Sequence, residues 1–234
     1  MICGSQAESK KIHKEKWRKK PFILEMLKIS FVIIASYLIG SVSPSIILGK
    51  ILKGIDIREH GSGNAGSTNA FRVLGKWAGI TVLLLDIFKG YFAVKFLSSI
   101  TGENPVISTT LIAILSGFAA IIGHVWTLFH SFKGGKGVNT ATGVLLALIP
   151  IPTILAAGIF LIVLLTTRYV SLGSMLSSLS LPIILVIQRQ RGINVPLELI
   201  IFTIIIPVFI IYTHRTNIKR LMRGEENKIK LSRG

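Results

Sequence analysis

Apolar residues in this chain fall in long runs, not in the narrow stripe of a helix with one wet face. The runs are residues 29–52, 77–97, 106–129, 138–166, 170–187 and 196–212. A helix that crosses a bilayer needs about 20 mostly apolar residues. Run 138–166 is longer than that and contains Pro150-Ile151-Pro152. Proline interrupts the helical ladder and steers the residue before it away from helix. Splitting the run there predicts an all-α, polytopic integral membrane protein with about seven transmembrane helices.

Between the runs lie polar, glycine-rich segments at 54–76, 131–139 and from 214 onward, each carrying Lys or Arg. The positive-inside rule assigns such segments to the cytoplasm. Three crossings precede residue 131 and four follow it, so the N-terminus is expected outside and the C-terminus in the cytoplasm. Loop 98–105 has no Lys or Arg, as an outer loop should. The basic N-terminal stretch argues the other way. The expected organisation is a basic tail over 1–28, a membrane domain over 29–213 with motif loops 54–76 and 131–142, and a basic cytoplasmic segment over 214–234. No signal peptide is expected, since no short apolar region with a cleavage site directly follows the first cations.

Composition sharpens this picture. Half of the 234 residues are apolar, yet Lys and Arg number 27 against 10 acids, a net charge of +17. Fifteen of the 27 cations lie at 10–28 and 215–233, where attraction to anionic headgroups is worth about 1 kcal/mol each. Nucleic acid is not expected as a partner: there are no interleaved aromatics and no recognised module. Recurring apolar runs exclude disorder. A single cysteine, Cys3, excludes a disulfide scaffold.

Three polar segments carry the candidate chemistry. The first is Gly61-Ser62-Gly63-Asn64-Ala65-Gly66-Ser67-Thr68-Asn69, followed by Arg72. Glycines allow turns that aim several N–H groups at one anion. Ser62, Asn64, Thr68 and Asn69 add neutral donors, and Arg72 adds a planar fork suited to phosphate. The second is Lys133-Gly134-Gly135-Lys136-Gly137, ahead of Asn139 and Thr140. Glycines and a lysine before a helix N-terminus suit an anion. It is not a nucleotide-binding P-loop, because Lys136 is followed by Gly137 rather than Ser or Thr. The third holds His214 and Asn217, three apart and so on one face of a helix. Within the membrane runs, Asp86 and Lys89 are also three apart and could pair. His124 is either a core hydrogen-bonder or part of the site. No His is followed five positions later by Asp, no Gly-x-Ser-x-Gly elbow occurs, and no Cys/His set suggests zinc. No metal and no cofactor are expected.

The stretches GSGNAGSTNAFR, LLLDIFKG, GHVWTLFHSFKGGKGV and HRTNIKRL followed by GEEN resemble, in order, the PlsY family of bacterial acyl-phosphate:glycerol-3-phosphate acyltransferases. The likeness runs from about Ile33 to Ile229. It implies an enzyme of the bacterial cytoplasmic membrane with its active site facing the cytoplasm. It implies transfer of an acyl group from acyl phosphate to the sn-1 hydroxyl of glycerol 3-phosphate, giving lysophosphatidate and phosphate. By motif position, Ser62, Arg72 and Lys136 hold glycerol 3-phosphate; Gly63, Asn64, Thr68, Asn69, Gly134, Gly135 and Gly137 shape the same site. His214, Asn217 and Glu226 fall on the family's catalytic histidine, asparagine and carboxylate. Expected partners are acyl phosphate, glycerol 3-phosphate, membrane lipids and other enzymes of phospholipid synthesis. Residues 1–28 have no family counterpart. An acyl phosphate is already activated, so no enzyme nucleophile is required. Two candidates stand open for the general base, a substrate phosphate oxygen and His214. The rival class is a transporter for a phosphorylated anion, disfavoured because the motifs sit in loops and no inverted repeat is seen.

Overall fold

A computed structural model describes residues 3–102 and 107–229, with side chains from residue 22. The side chains of the basic run 10–20 therefore lie outside the described residues, as do part of the expected outer loop 98–105, the first residue of run 106–129, and residues 230–234. The described chain is all helix and turn, with no strand. Its helices are α1 (Cys3–Ser41), α2 (Pro44–Lys53), α3 (Ser67–Val73), α4 (Lys76–Phe92), α5 (Thr109–Val125), α6 (Val138–Leu148), α7 (Pro150–Thr167), α8 (Val170–Gln190), α9 (Leu197–Thr213) and α10 (Arg215–Met222).

The apolar runs become helices, with four changes of boundary. The first run is not one helix. It breaks at Val42-Ser43, before Pro44, and its apolar stretch starts at Phe22 rather than Ile29. The split in the long run falls at Ile149, with Pro150 opening α7, where a missing N–H costs nothing. Loop 54–76 contains a helix, α3, so Thr68, Asn69 and Arg72 are helical residues. Finally α9 and α10 meet at a 62° bend, and His214 sits at the break.

Four helices among the described residues are long and apolar enough to cross a membrane, or five with the bent pair. The α4 segment is continued to Leu97 by a π-helical turn, Ala93–Leu97, and α6 has only 11 residues. Both were expected as full crossings; the helical stretch through α4 does span run 77–97, whereas α6 is short for one.

Helices α1 and α5, α4 and α6, and α7 and α8 pack as pairs. Packing in hydrocarbon relies on close backbone approach through small residues. At the α4–α6 crossing a Cβ on Gly90 would lie 2.2 Å from Thr140 O, and one on Gly143 would lie 1.9 Å from Ile87 O. Glycine is required at both positions. Large apolar side chains such as Leu84, Phe88, Ile154, Ile162 and Val208 stay exposed. A soluble monomer rarely exposes so much apolar surface; on a multi-pass membrane protein these side chains meet lipid.

Candidate active site

The two glycine loops meet at the mouth of a cavity of about 410 Å³. Its polar end is lined by Asn64, Ser67, Thr68, His124, Lys136 and Asn139. Its other end runs between α6, α7 and α8, past Leu145, Ala156, Phe160, Leu164 and Leu181. One cavity thus joins a cationic, hydroxyl- and amide-lined mouth to an apolar slot.

The first loop is held by Asn69 rather than offering it. Asn69 is buried; its Nδ2 donates to Ile57 O and His60 O, both at 2.9 Å, and its Oδ1 accepts from Ser62 N at 2.8 Å. Both Nδ2 hydrogens are committed, so Asn69 has no donor left for an anion. Against the expectation of a phosphate donor, it positions the loop. Gly63 has φ of +72° and its N–H donates to His60 O, so it also serves the turn. Neither Ser62 nor Gly63 lines the cavity, whereas Asn64 and Thr68 do.

The second loop brings a similar correction. The N–H groups of Gly134 and Gly135 donate to Val125 O at 3.0 Å and His124 O at 3.1 Å. They are unavailable to an anion. These glycines are needed for another reason: a Cβ would come within 2.0 Å of His124 O at Gly134 and 2.1 Å of His124 Nε2 at Gly135. The anion-binding capacity lies one step further on. Gly137 caps α6 with φ of +83°, the first helical bond is from Ala141 N to Gly137 O, and the first-turn N–H groups are left over. Lys136 stands beside them. Burial, only partly offset by Glu226 and reinforced by Arg220 and Arg72, pushes its ammonium down to about 8.

The third motif closes the rim. Lys136 Nζ donates to Asn217 Oδ1. Asn217 Nδ2 donates to Glu226 Oε1 at 2.6 Å, Ser171 Oγ to the same oxygen at 2.8 Å, and Arg220 Nε to Oε2 at 2.8 Å. Burial works against the Glu226 charge, but these bonds outweigh it and hold the carboxyl below its usual range. Glu226 is therefore a hub and does not line the cavity. The segment carrying it straps over the mouth: Arg72 donates to Asn227 O at 3.2 Å and Ile229 N to Arg168 O at 2.9 Å.

His214 sits at the α9–α10 break as the N-cap of α10, three residues before Asn217, and both side chains are buried. Its Nδ1 lies 2.8 Å from Ile210 O, so Nδ1 carries the proton and Nε2 keeps a lone pair. Burial, then the nearby Lys136 charge, pushes it down to about 4. It is neutral near pH 7.

Sequence reading gave no role to three contributors. Ser171 supports Glu226 from 55 residues away, and nothing local marks it. Arg58, gripping Asp56, donates to His130 O at 2.8 Å and Lys133 O at 3.1 Å; it ties the two loops together. Asn139 Nδ2 donates to Ser67 Oγ at 2.8 Å, joining α6 to α3.

The family model described as glycerol-3-phosphate acyltransferase matches residues 30–224. The chain belongs to the glycerol-3-phosphate acyltransferase family. A family protein from Chlorobaculum tepidum is 45% identical over 230 residues, covering 89% of this chain and 99% of the relative. One from Chlorobium phaeobacteroides is 43% identical, covering 88% and 98%. Among solved structures, the glycerol 3-phosphate form of PlsY (YgiH), described as an integral membrane glycerol 3-phosphate acyltransferase, superimposes with a TM-score of 0.77. It is 35% identical and covers 86% of this chain and 96% of that one. Its lysophosphatidic acid form gives 0.74.

Proposed function

We propose that this acyltransferase moves an acyl group from acyl phosphate to the sn-1 hydroxyl of glycerol 3-phosphate, the first step of phospholipid synthesis. The observation that carries this reading is the single cavity with a cationic mouth and an apolar slot. Both substrates carry phosphate, and one carries a long hydrocarbon chain that the slot between α6, α7 and α8 can hold. Lys136, the α6 N-terminus and Arg72 supply positive charge for phosphate; Asn64 and Thr68 supply neutral donors.

The hydroxyl oxygen attacks the acyl carbon, and the bond from that carbon to the phosphate oxygen breaks. The hydroxyl proton passes to a phosphate oxygen, and inorganic phosphate leaves. No bond to the enzyme forms. Two observations favour a substrate oxygen as the base over His214: the imidazole is pushed down to about 4, and it does not line the cavity. Seven crossings, an external N-terminus and a site facing the cytoplasm of a bacterial inner membrane complete the proposal. The positions of Lys and Arg in the polar loops support that topology.

Purified protein given acyl phosphate and glycerol 3-phosphate should release phosphate only when both are present, with lysophosphatidate as co-product. Phosphate release independent of glycerol 3-phosphate would overturn the reading. A reporter fused at Ser9 tests the topology, and a cytoplasmic N-terminus would defeat the seven-helix count.

A further inference from the structure

Below the mouth lies a buried polar cluster that the proposed reaction has not used. Lys89 on α4 sits 2.8 Å from Asp86 Oδ1 on the same helix. It donates to Val42 O at 2.8 Å, and its Nζ is 2.9 Å from His124 Nδ1 on α5. Asp86 is 0% exposed, and Lys89 and His124 are each 5%. A charged lysine in such a place persists only with a matching charge and hydrogen bonds; Asp86 supplies the charge, and Val42 O and His124 Nδ1 supply the bonds.

The cluster fixes which nitrogen of His124 carries the proton. An ammonium has donors and no acceptor. At 2.9 Å from Lys89 Nζ, Nδ1 must offer its lone pair; a proton there would point at a cation. Asp86 Oδ1, which accepts no hydrogen bond among the described residues, is the competing acceptor, but at 3.3 Å from Nδ1 it is farther away than Lys89 Nζ. A neutral imidazole with a bare Nδ1 carries its hydrogen on Nε2. That nitrogen faces Gly135, where a Cβ would meet it at 2.1 Å, and His124 lines the polar end of the cavity beside Lys136, Asn64 and Thr68. Nε2 has no protein partner among the described residues. A donor without a protein partner, on a ring that lines a cavity, calls for a ligand oxygen.

We propose that His124 is a further substrate-contacting residue: a neutral imidazole, held as the Nε2–H tautomer by Lys89, that donates to an oxygen of the phosphorylated substrate. This rests on the acyltransferase reading above. His124 acts as an electrophile and not as a base, because its only lone pair is turned away from the cavity and capped by Lys89. The design keeps a hydrogen-bond donor in place through the reaction without adding a further cation to Lys136 and Arg72. A preorganised donor aimed at developing charge is worth about 10²–10³ in rate. Gly135 is then glycine so that the imidazole edge can reach past the loop.

The test has two arms on the full chain in detergent or nanodiscs. In the first, histidine is labelled with ¹⁵N, and the His124 signals are identified by their absence in His124→Gln. Correlation to the ring protons should show Nδ1 bare and Nε2 protonated near neutral pH, and the Nε2–H signal should move when glycerol 3-phosphate or inorganic phosphate is added. A proton on Nδ1, or an Nε2 signal unmoved by either anion, overturns the proposal. In the second arm, His124→Leu removes the donor, while His124→Gln restores an N–H. His124→Leu should lose about 10²-fold in kcat or in kcat/KM, and His124→Gln should stay within about tenfold of wild type. A raised KM assigns the bond to bound phosphate; a lowered kcat assigns it to the transition state. A His124→Leu enzyme with unchanged kcat and KM overturns the proposal. If that variant does not fold, the first arm decides alone. Failure of the acyltransferase reading is distinguishable, because wild type would then release no phosphate while the tautomer result stands.

Discussion

Lys89 and Lys136 are both held in tight surroundings, but they keep different company. Lys89 has a carboxylate at 2.8 Å, a carbonyl and an imidazole. Its charge is matched by Asp86, two of its protons are placed on Val42 O and His124 Nδ1, and it does not line the cavity. Lys136 touches the neutral amide of Asn217, and no carboxylate lies within ion-pair distance among the described residues. Its positive neighbours, Arg72 and Arg220, help burial to push it down. A matched buried cation is part of the scaffold. A cation deprived of water and given only an amide is held ready for an anion.

The comparison breaks most visibly at Lys89. Lys89→Met leaves Asp86 ionised, buried and unpaired, a loss of about 3–5 kcal/mol in stability. The variant should unfold many degrees below wild type in a thermal scan in detergent, and adding Asp86→Asn should recover much of the loss. An unchanged melting temperature in the single variant would mean the pair contributes nothing to the fold.

Lys136→Met should do the reverse. Its melting temperature should stay close to wild type, while kcat/KM for glycerol 3-phosphate falls about 10- to 100-fold, the worth of a charged hydrogen bond. Steady-state phosphate release gives both numbers. KM values unchanged for both substrates would take Lys136 out of the site.

A gentler probe is pH. Lys136 binds phosphate as the cation, the form present below about 8. As pH rises through that value the cation is lost from the free enzyme, and kcat/KM should fall by about tenfold per unit. Bound phosphate stabilises the cation, so kcat at saturation should decline only at higher pH. Lys136→Arg, which stays charged, should abolish the fall. A wild-type profile flat to pH 10 would contradict the assignment.

What was legible in the sequence follows the range over which each feature acts. The apolar runs are local, and so are the proline break at Ile149 and the i, i+3 pairing of Asp86 with Lys89. All were readable. The break at Val42-Ser43 had a local sign too, in Pro44. The motif loops stand out because glycine, amide and hydroxyl residues crowd into short polar stretches. Composition did not reveal the different work of their glycines: Gly63 makes a turn, whereas Gly134 and Gly135 admit the backbone and ring of His124. That depends on a helix elsewhere in the chain. Ser171 and Glu226 meet across 55 residues, and Lys89 and His124 across 35. Such pairs exist only once the helices have packed.

His214 should give the smallest effect of all. Its Nδ1 proton is committed to Ile210 O, and burial, then the charge on Lys136, pushes it down to about 4. A depressed histidine is neutral above that value and charged below it, so it should not titrate between pH 5 and 7. A general base with an ordinary histidine value would instead produce a limb near 6.5 in kcat. The kcat profile from pH 5 to 7 should lack a limb that disappears in His214→Ala. That variant should keep substantial kcat at saturating substrate and lose mainly in KM, because packing beside Lys136 is disturbed while the proton still passes to substrate phosphate. Loss of kcat by about 10³-fold or more at saturation would make His214 the base. The lone pair on Nε2 would then be the catalytic group, and the contrast between the two lysines would reduce to one of binding.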